Sequence, residues 1–279
     1  KDAVVTVSVT SGATGNVTVI INGKSQVVEL KDSKATVTIE NLTAEDYKIE
    51  ATYNGDAKYL TSSAVYTFNV NKLPSSITVS AGDIKVGEDA VIVASVISGA
   101  TGNVTFTIGD KTETVEIKDG KATLTVKDLA SGDYTVSAVY NGDDKYLTSS
   151  NSTSFNVTKL PSSITVSAGD IKVGEDAVIV ASVISGATGN VTFTIGDKTE
   201  TVEIKDGKAT LTVKDLASGD YTVSAVYNGD AKYLTSSNST SFKVSKISGY
   251  DIKVNVSEVN EGENATVTVI LPKDATGNV

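Results

Sequence analysis

Residues 90–108 read AVIVASVISGATGNVTFTI, and the alternation in this stretch decides the fold. Ala90, Ile92, Ala94 and Val96 occupy one phase of a two-residue period. The aligned positions in other parts of the chain are also apolar, whereas the opposite phase there is largely threonine and serine. This pattern predicts strands with one buried face and one face that tolerates water.

The same alternation predicts six further segments of strand in each repeat. Their inward positions are Val104, Phe106, Ile108, Val115, Ile117, Ala122, Leu124, Val126, Tyr134, Val136, Ala138, Tyr140, Phe155 and Val157, with Ile77, Val79, Ile84 and Val86 in an opening strand kinked at 81–83. Glycine- and asparagine-rich turns separate the segments, and none has a helical period. Seven short strands at this spacing predict an all-β, immunoglobulin-like sandwich. Tyr47, Tyr134 and Tyr221 are expected to form tyrosine corners.

The chain is a tandem array, because residues 161–247 repeat residues 74–160 with only four differences. We divide it into an immunoglobulin-like repeat lacking its first strand (1–73), two complete repeats (74–160 and 161–247) and the N-terminal part of a further repeat (248–279). Partial repeats at both ends are expected for a segment of a longer array. We expect the sandwiches to follow one another like beads on a rod.

Composition excludes several functions. The net charge of -10 argues against nucleic-acid binding, which requires clustered cations. No apolar run approaches 18 residues, so no membrane insertion is expected in this segment. Cysteine and histidine are absent, which leaves paired carboxylates as the remaining catalytic option. The acidic residues fall in turns, where aspartate is favoured for local hydrogen bonding, so we expect no enzyme activity.

Four motifs carry a family resemblance. They are Gly-Ala-Thr-Gly-Asn-Val-Thr-Phe (99–106), Asp-Gly-Lys-Ala-Thr-Leu (119–124), Ser-Gly-Asp-Tyr (131–134) and Tyr-Asn-Gly-Asp-Asp-Lys-Tyr (140–146). The chain resembles the group 3 bacterial Ig-like repeats over essentially its whole length, and the last motif is most similar to the adhesin-like proteins of methanogenic archaea. The resemblance implies an extracellular location at the cell surface and a role as a stalk unit, and it brings no catalytic residues.

Calcium is the metal that the acidic loops suggest. The candidate ligands are Asp83, Glu88 and Asp89, together with the loop aspartate of a preceding repeat, Asp56 or its equivalent Asp143, because carboxylates near a domain junction can stiffen a rod. A hard cation needs about six oxygen ligands, and no EF-hand spacing is present. We therefore expect no cofactor, with a structural calcium ion as the alternative.

Nine Asn-x-Ser/Thr sequons are candidate glycosylation sites. They are Asn16, Asn41, Asn103, Asn151, Asn156, Asn190, Asn238, Asn255 and Asn264. Tyr59, Tyr146 and Tyr233 follow an Asn-Gly-Asp turn and are either exposed rings for glycan stacking or rim residues that cover the end of the core.

The linkers between domains indicate how stiff the array is. Leu160 and Pro161 lie in a junction of three or four residues, where proline restricts the backbone and either Leu160 or Ile247 can pack between neighbours. A semi-rigid array is expected, with each domain adding about 40 Å. The expected partners are neighbouring repeats, other copies joined through the unpaired sheet edge of residues 1–73, and an unidentified surface ligand of the parent protein.

These features together predict a non-catalytic structural stalk segment of a cell-surface adhesin-like protein or filament, which projects a distal binding region from the cell. The alternatives are a multivalent glycan- or protein-binding array and a spacer that carries a surface enzyme.

Overall fold

The computed structural model describes residues 2–273 and 275–278. The chain divides into two compact units, residues 1–158 and residues 159–279. Every regular element among the described residues is a β-strand, which confirms the predicted fold class.

The strands follow the repeat pattern. The first repeat contains β1 (Ala3–Ser8), β2 (Asn16–Ile21), β3 (Lys24–Glu29), β4 (Lys34–Ile39), β5 (Asp46–Tyr53) and β6 (Ser62–Asn69). The second contains β7 (Ile77–Ala81), β8 (Ile84–Lys85), β9 (Ala90–Val96), β10 (Asn103–Ile108), β11 (Lys111–Glu116), β12 (Lys121–Val126), β13 (Gly132–Tyr140) and β14 (Ser149–Thr158). The third contains β15 (Ile164–Ala168), β16 (Ile171–Lys172), β17 (Ala177–Val183), β18 (Asn190–Ile195), β19 (Lys198–Glu203), β20 (Lys208–Val213), β21 (Gly219–Tyr227) and β22 (Ser236–Ser245). The tail contains β23 (Lys253–Val256) and β24 (Val267–Ile270).

The second repeat shows the complete sandwich. One sheet has the order β12-β9-β7 and the other β11-β10-β13-β14-β8. β7 and β8 are the two halves of the predicted opening strand, since β7 pairs antiparallel with β9 and β8 pairs parallel with β14. Counting the halves as one strand gives the seven strands of an immunoglobulin-like sandwich. The third repeat has the same two sheets, β15-β17-β20 and β16-β22-β21-β18-β19.

The predicted inward phase forms the core of each complete repeat. Ile92, Phe106, Val136 and Tyr140 have no exposed surface, whereas Val91 in the opposite phase is exposed. Burying an aliphatic or aromatic side chain contributes about 1.5–3 kcal/mol. These strands are therefore held by apolar packing between the two sheets.

The tyrosine corner is present in the second repeat. The Tyr134 hydroxyl donates to the Ala130 carbonyl at 3.1 Å, and its ring stacks on Phe155 with centroids 5.5 Å apart. The third repeat has the same arrangement. The first repeat differs, because the Tyr47 hydroxyl accepts a hydrogen bond from the Thr43 amide at 3.0 Å. In each repeat this tyrosine fastens the start of a central strand to the preceding loop.

The first repeat has an incomplete pair of sheets, with the orders β1-β4 and β3-β2-β5-β6. Among the described residues it has no counterpart of β7 or β8. Val5 and Val7 are consequently only half-buried, whereas the equivalent Ile92 and Ala94 are fully buried.

The tail forms a two-stranded hairpin. Its register places Val254 opposite Val269, equivalent to Val79 opposite Ala94 in the second repeat. The tail therefore reproduces one strand pairing of a repeat, that of β7 with β9, but its valines are largely exposed.

Candidate functional site

The Asn-Gly-Asp loop recurs in all three repeats, as residues 54–60, 141–147 and 228–234. It follows a central strand of the larger sheet and is built around an aspartate. In the second repeat, Asp143 Oδ1 accepts hydrogen bonds from the Lys145 and Tyr146 amides at 2.8 and 2.7 Å. Its Oδ2 accepts from the amide and the hydroxyl of Thr101 at 2.8 and 3.1 Å. The carboxylate therefore joins its own loop to the turn between β9 and β10.

These hydrogen bonds keep Asp143 ionised. Desolvation opposes its charge, but the amides of Thr101, Tyr146 and Lys145 outweigh that effect and hold the pKa of the carboxyl well below its usual range. Desolvation and the adjacent carboxylate raise the pKa of the Tyr140 hydroxyl to about 12. Asp56 and Asp230 have pKa values lowered in the same way.

Glycine is required in this loop. Gly142 has φ +77°, and an added Cβ would lie 3.0 Å from the Tyr146 carbonyl oxygen. Gly229 has the same φ, and its added Cβ would lie 2.9 Å from the Tyr233 carbonyl oxygen. A side chain at this position would meet both backbone strain and a collision with main-chain atoms.

The tyrosine at the end of the loop belongs to the core. Tyr146 is only 7% exposed, and its hydroxyl donates to the Ser98 carbonyl at 3.2 Å. The Lys145 ammonium lies 5.1 Å from the centre of the ring. Tyr233 is buried in the same way, and Tyr59 in the first repeat is half-buried. The rings of Tyr146 and Tyr233 therefore cover the core end, as the second of the two interpretations predicted, and neither offers a free face for a sugar.

The loop also holds the incoming linker. The Leu73 amide donates to the Lys145 carbonyl, and the Leu147 amide donates to the Leu73 carbonyl, both at 2.8 Å. Lys72 Nζ donates to the Asp143 carbonyl. The linker therefore adds a short parallel bridge to the loop of the repeat that follows it.

The third repeat holds its linker in the same way. Leu160 donates to the Lys232 carbonyl at 2.8 Å and accepts from the Leu234 amide at 2.9 Å. Its side chain packs against the core of the third repeat. The sequence indicated that Leu160 can pack at a junction but did not predict this main-chain pairing. The invariant spacing between the linker leucine and the Asn-Gly-Asp loop was the available signal.

Among the described residues, Leu60 and Ile247 take part in no bridge of this kind. In the first repeat, Leu60 is 92% exposed, whereas Leu147 is 51% exposed. Ile247 stands in the position of the linker leucine after the third repeat and is 60% exposed.

The four proposed calcium ligands have separate hydrogen-bond or ion-pair partners. The Asp83 carboxylate accepts a hydrogen bond from the main-chain amide of Asn156 at 2.8 Å. The Glu88 carboxylate accepts one from the main-chain amide of Lys85 at 2.7 Å. Asp89 lies 3.4 Å from the Lys127 ammonium, and Asp143 is the centre of its loop. The described residues contain no group of three or more carboxylates placed to hold a metal ion.

The sequons fall into two groups. The side-chain nitrogens of Asn151 and Asn238 donate to the carbonyls of the strands β7 and β15, and that of Asn156 donates to Asp133 at 2.6 Å. Asn16, Asn41, Asn103, Asn190, Asn255 and Asn264 are exposed and make no such bond through their side-chain nitrogens. Glycosylation of the first group would modify a side-chain nitrogen that already donates a structural hydrogen bond.

The repeated sandwich and its motifs agree with a known family. The bacterial Ig-like domain (group 3) model matches residues 1–71, 77–158 and 164–245. The chain belongs to this family. Ig-like repeat domains of this kind are typically non-catalytic and extracellular. Among the described residues, no helix is long and apolar enough to cross a membrane.

Several solved structures share a low overall similarity with this bacterial Ig-like chain. The fibronectin(III)-like modules of Clostridium thermocellum CbhA are 18% identical over 61% of this chain and 95% of that one, with a TM-score of 0.28. The titin domains Z1Z2 in complex with telethonin are 13% identical over 64% and 100%, with a TM-score of 0.37. The FN1–FN3 domains of chicken CNTN1 are 11% identical over 88% and 96%, with a TM-score of 0.27. No curated protein matches the chain.

Proposed function

We propose that this chain is a non-catalytic structural stalk segment of an extracellular, cell-surface adhesin-like protein or filament, which holds a distal binding region away from the cell. The observation that carries the proposal is the pairing of each linker leucine with the Asn-Gly-Asp loop of the following repeat. A stalk needs such pairing because each linker must be held in place on the next domain. A ligand-binding site does not need it.

The short junction supports a stiff connection. The Thr158 carbonyl accepts from the Val86 amide at 2.9 Å within the second repeat, and Leu160 is paired within the third. Lys159 alone lies between them, and its ammonium donates to the Asp230 carbonyl. A linker with one intervening residue has far fewer conformations than a Gly/Ser coil of ordinary length.

The chemistry of the loops supports a structural role. Asp56, Asp143 and Asp230 each accept hydrogen bonds from main-chain amides and from a threonine hydroxyl, and these bonds occupy both carboxylate oxygens. Their low pKa values suit a permanently ionised hydrogen-bond acceptor and do not suit a general acid near neutral pH. Histidine and cysteine are absent from the sequence.

A retention experiment separates the stalk from the two alternative functions. Residues 72–158 and residues 72–247 would each be immobilised at equal domain density and exposed to cell-wall polysaccharide, host glycans and surface-protein extracts. The stalk proposal predicts that neither protein retains a ligand. Retention by two repeats but not by one would instead support a multivalent binding array, and capture of an enzyme activity would support a spacer for a surface enzyme.

A further inference from the structure

Each complete repeat has an open groove along one edge of its sandwich. In the second repeat the groove has a volume of about 630 Å³ and lies between β11 and β12, with Phe106 and Leu124 of the core among its lining residues. The third repeat has a groove of about 790 Å³ between β19 and β20, lined by the equivalent Phe193 and Leu211. Because both complete repeats have it, the groove belongs to the sandwich itself.

The strand β11 is the long free edge of the larger sheet. Among the described residues it pairs with β10 alone, so its other side has no partner strand. The opposite edge of the same sheet, β8, is only two residues long, whereas β11 has six residues. An exposed edge of this length can pair with a strand of another molecule.

The inward phase of β11 changes in character along the strand. Its register with β10 places Glu113 opposite the fully buried Phe106, and Lys111 opposite Ile108. Residues that are directly opposite each other on two paired strands share one face of the sheet. Both charged residues are exposed, whereas Val115, the next inward residue, packs against the core. Two charges therefore stand on the face that is apolar in the neighbouring strand.

The two charged residues coincide with the open part of the edge. Lys111 and Glu113 both line the groove. Beyond Val115 the edge is closed by the turn into β12, where Lys118 and Lys121 form an isolated bridge. The inward charges therefore lie along the stretch of β11 where side chains of the core face an uncovered groove.

The other repeats have the same arrangement. Lys198 and Glu200 occupy these inward positions in the third repeat, and Lys24 and Gln26 occupy them in the first. The corresponding strand of the first repeat has a different sequence, KSQVVE in place of KTETVE. Both of its inward positions are nevertheless polar and exposed, so polarity at these two positions is common to all three repeats.

We propose that the inward charges of β11 and β19 keep other copies of this chain from adding a strand at the free edge of the larger sheet. A strand added to β11 would extend the sheet over the groove and remove Lys111 and Glu113 from water. Burial of a charge costs much free energy unless the charge is paired and hydrogen-bonded. Natural sheets use inward-pointing charges at their edges to prevent such pairing. The outward residues Thr112 and Thr114 are uncharged and present no such obstacle.

Attraction between lysine and glutamate does not remove this obstacle. An antiparallel pair of β11 strands centred on Glu113 places two glutamates opposite each other, which is destabilising. A pair centred on Thr112 places Lys111 of one copy opposite Glu113 of the other. Both charges must then leave water, and the cost of desolvation offsets their attraction. The same obstacle is present in a stalk and in a binding array, so it does not depend on the proposed function.

Sedimentation velocity of the full chain over a range of concentrations tests the proposal. The inward variant combines Lys111→Val, Glu113→Val, Lys198→Val and Glu200→Val, which leaves the net charge at -10. The matched control combines the outward substitutions Thr112→Val, Thr114→Val, Thr199→Val and Thr201→Val, which add as many valines to the other face of the same strands. We expect the inward variant to form multimers at a concentration at least tenfold lower than the control or the unsubstituted chain.

Hydrogen exchange locates the contact within the multimer. The main-chain amides of residues 111–116 and 198–203 should exchange more slowly in the multimer of the inward variant than in the unsubstituted chain, because a new strand would cover them. Circular dichroism checks that the variants are folded. If the fourfold variant does not fold, Lys111→Val combined with Glu113→Val gives the same test in the second repeat alone.

Three results would overturn the proposal. The first is an inward variant that stays as monomeric as the control. The second is equal association of the inward variant and the control, which would assign the effect to added apolar surface on either face. The third is a multimer in which the amides of residues 111–116 and 198–203 exchange as fast as in the unsubstituted chain.

Discussion

Replacing Asp143 with asparagine removes the centre of the Asn-Gly-Asp loop in the second repeat while retaining the size of the side chain. Asparagine keeps one oxygen for the Lys145 and Tyr146 amides. In this orientation its amide nitrogen faces the amide and hydroxyl of Thr101, both of which donate to Asp143 Oδ2 in the native loop. Two charge-assisted hydrogen bonds are therefore lost, and an amide donor is left facing the Thr101 N–H.

The cost follows from the number and environment of these bonds. A hydrogen bond to a charged group contributes about 1.5–3 kcal/mol, and partial exposure of this loop reduces that value. We expect Asp143→Asn to lower the free energy of unfolding by about 2–4 kcal/mol. For a domain of this size, such a change lowers Tm by at least about 8 °C.

Thermal and urea denaturation of residues 72–158, followed by circular dichroism, measures this loss. Asp144→Asn is the matched control, because the third repeat has Ala231 at the equivalent position. A surface change of this kind should stay within about 0.5 kcal/mol. Equal destabilisation by the two variants, or no change in Tm for Asp143→Asn, would refute the role assigned to this carboxylate.

Three further predictions concern the same repeat. Gly142→Ala should destabilise it by about 1–3 kcal/mol in urea denaturation. Gly82→Ala should be nearly neutral, because Gly82 has no positive φ and an added Cβ would lie in open space. Equal effects of the two substitutions would contradict the argument from loop geometry. The folded-state pKa of Asp143 lies below its unfolded value, so this group stabilises the fold above about pH 4 and loses that contribution as the pH falls through the folded value. Between about pH 4 and lower pH, the free energy of unfolding of Asp143→Asn should therefore fall less steeply than that of the parent. Parallel curves of free energy against pH would show that Asp143 does not contribute to the acid sensitivity. In a glycosylating host, mass spectrometry should find higher occupancy at Asn103 than at Asn156, whose amide nitrogen is engaged; the reverse order would contradict the assignment of the sequons.

The strand pattern was predictable because burial acts on alternate residues. Val104 and Phe106 were assigned inward from periodicity alone, and both are fully buried. The kink at residues 81–83 was also visible, because the apolar phase changes there. The pairing of its two halves with different sheets follows from the immunoglobulin-like topology.

The linker pairing was less accessible to sequence analysis. The hydrogen bonds of Leu73 use main-chain atoms, so its side-chain identity carries little information about them. Tyr146 was open to two interpretations because an aromatic residue after a turn can lie on the rim or face solvent. The hydrogen bond between its hydroxyl and the Ser98 carbonyl depends on two loops that are distant in sequence.

Small-angle X-ray scattering of residues 72–247, in calcium and then in chelator, tests the stalk most directly. A pair of domains held by the paired linker should give a maximum dimension of about 80 Å in both buffers, which is twice the length estimated for one sandwich. A compact or broadly distributed particle would contradict the semi-rigid stalk. Extension only in the presence of calcium would show that the acidic loops, and not the pairing of Leu160, set the stiffness of the junction.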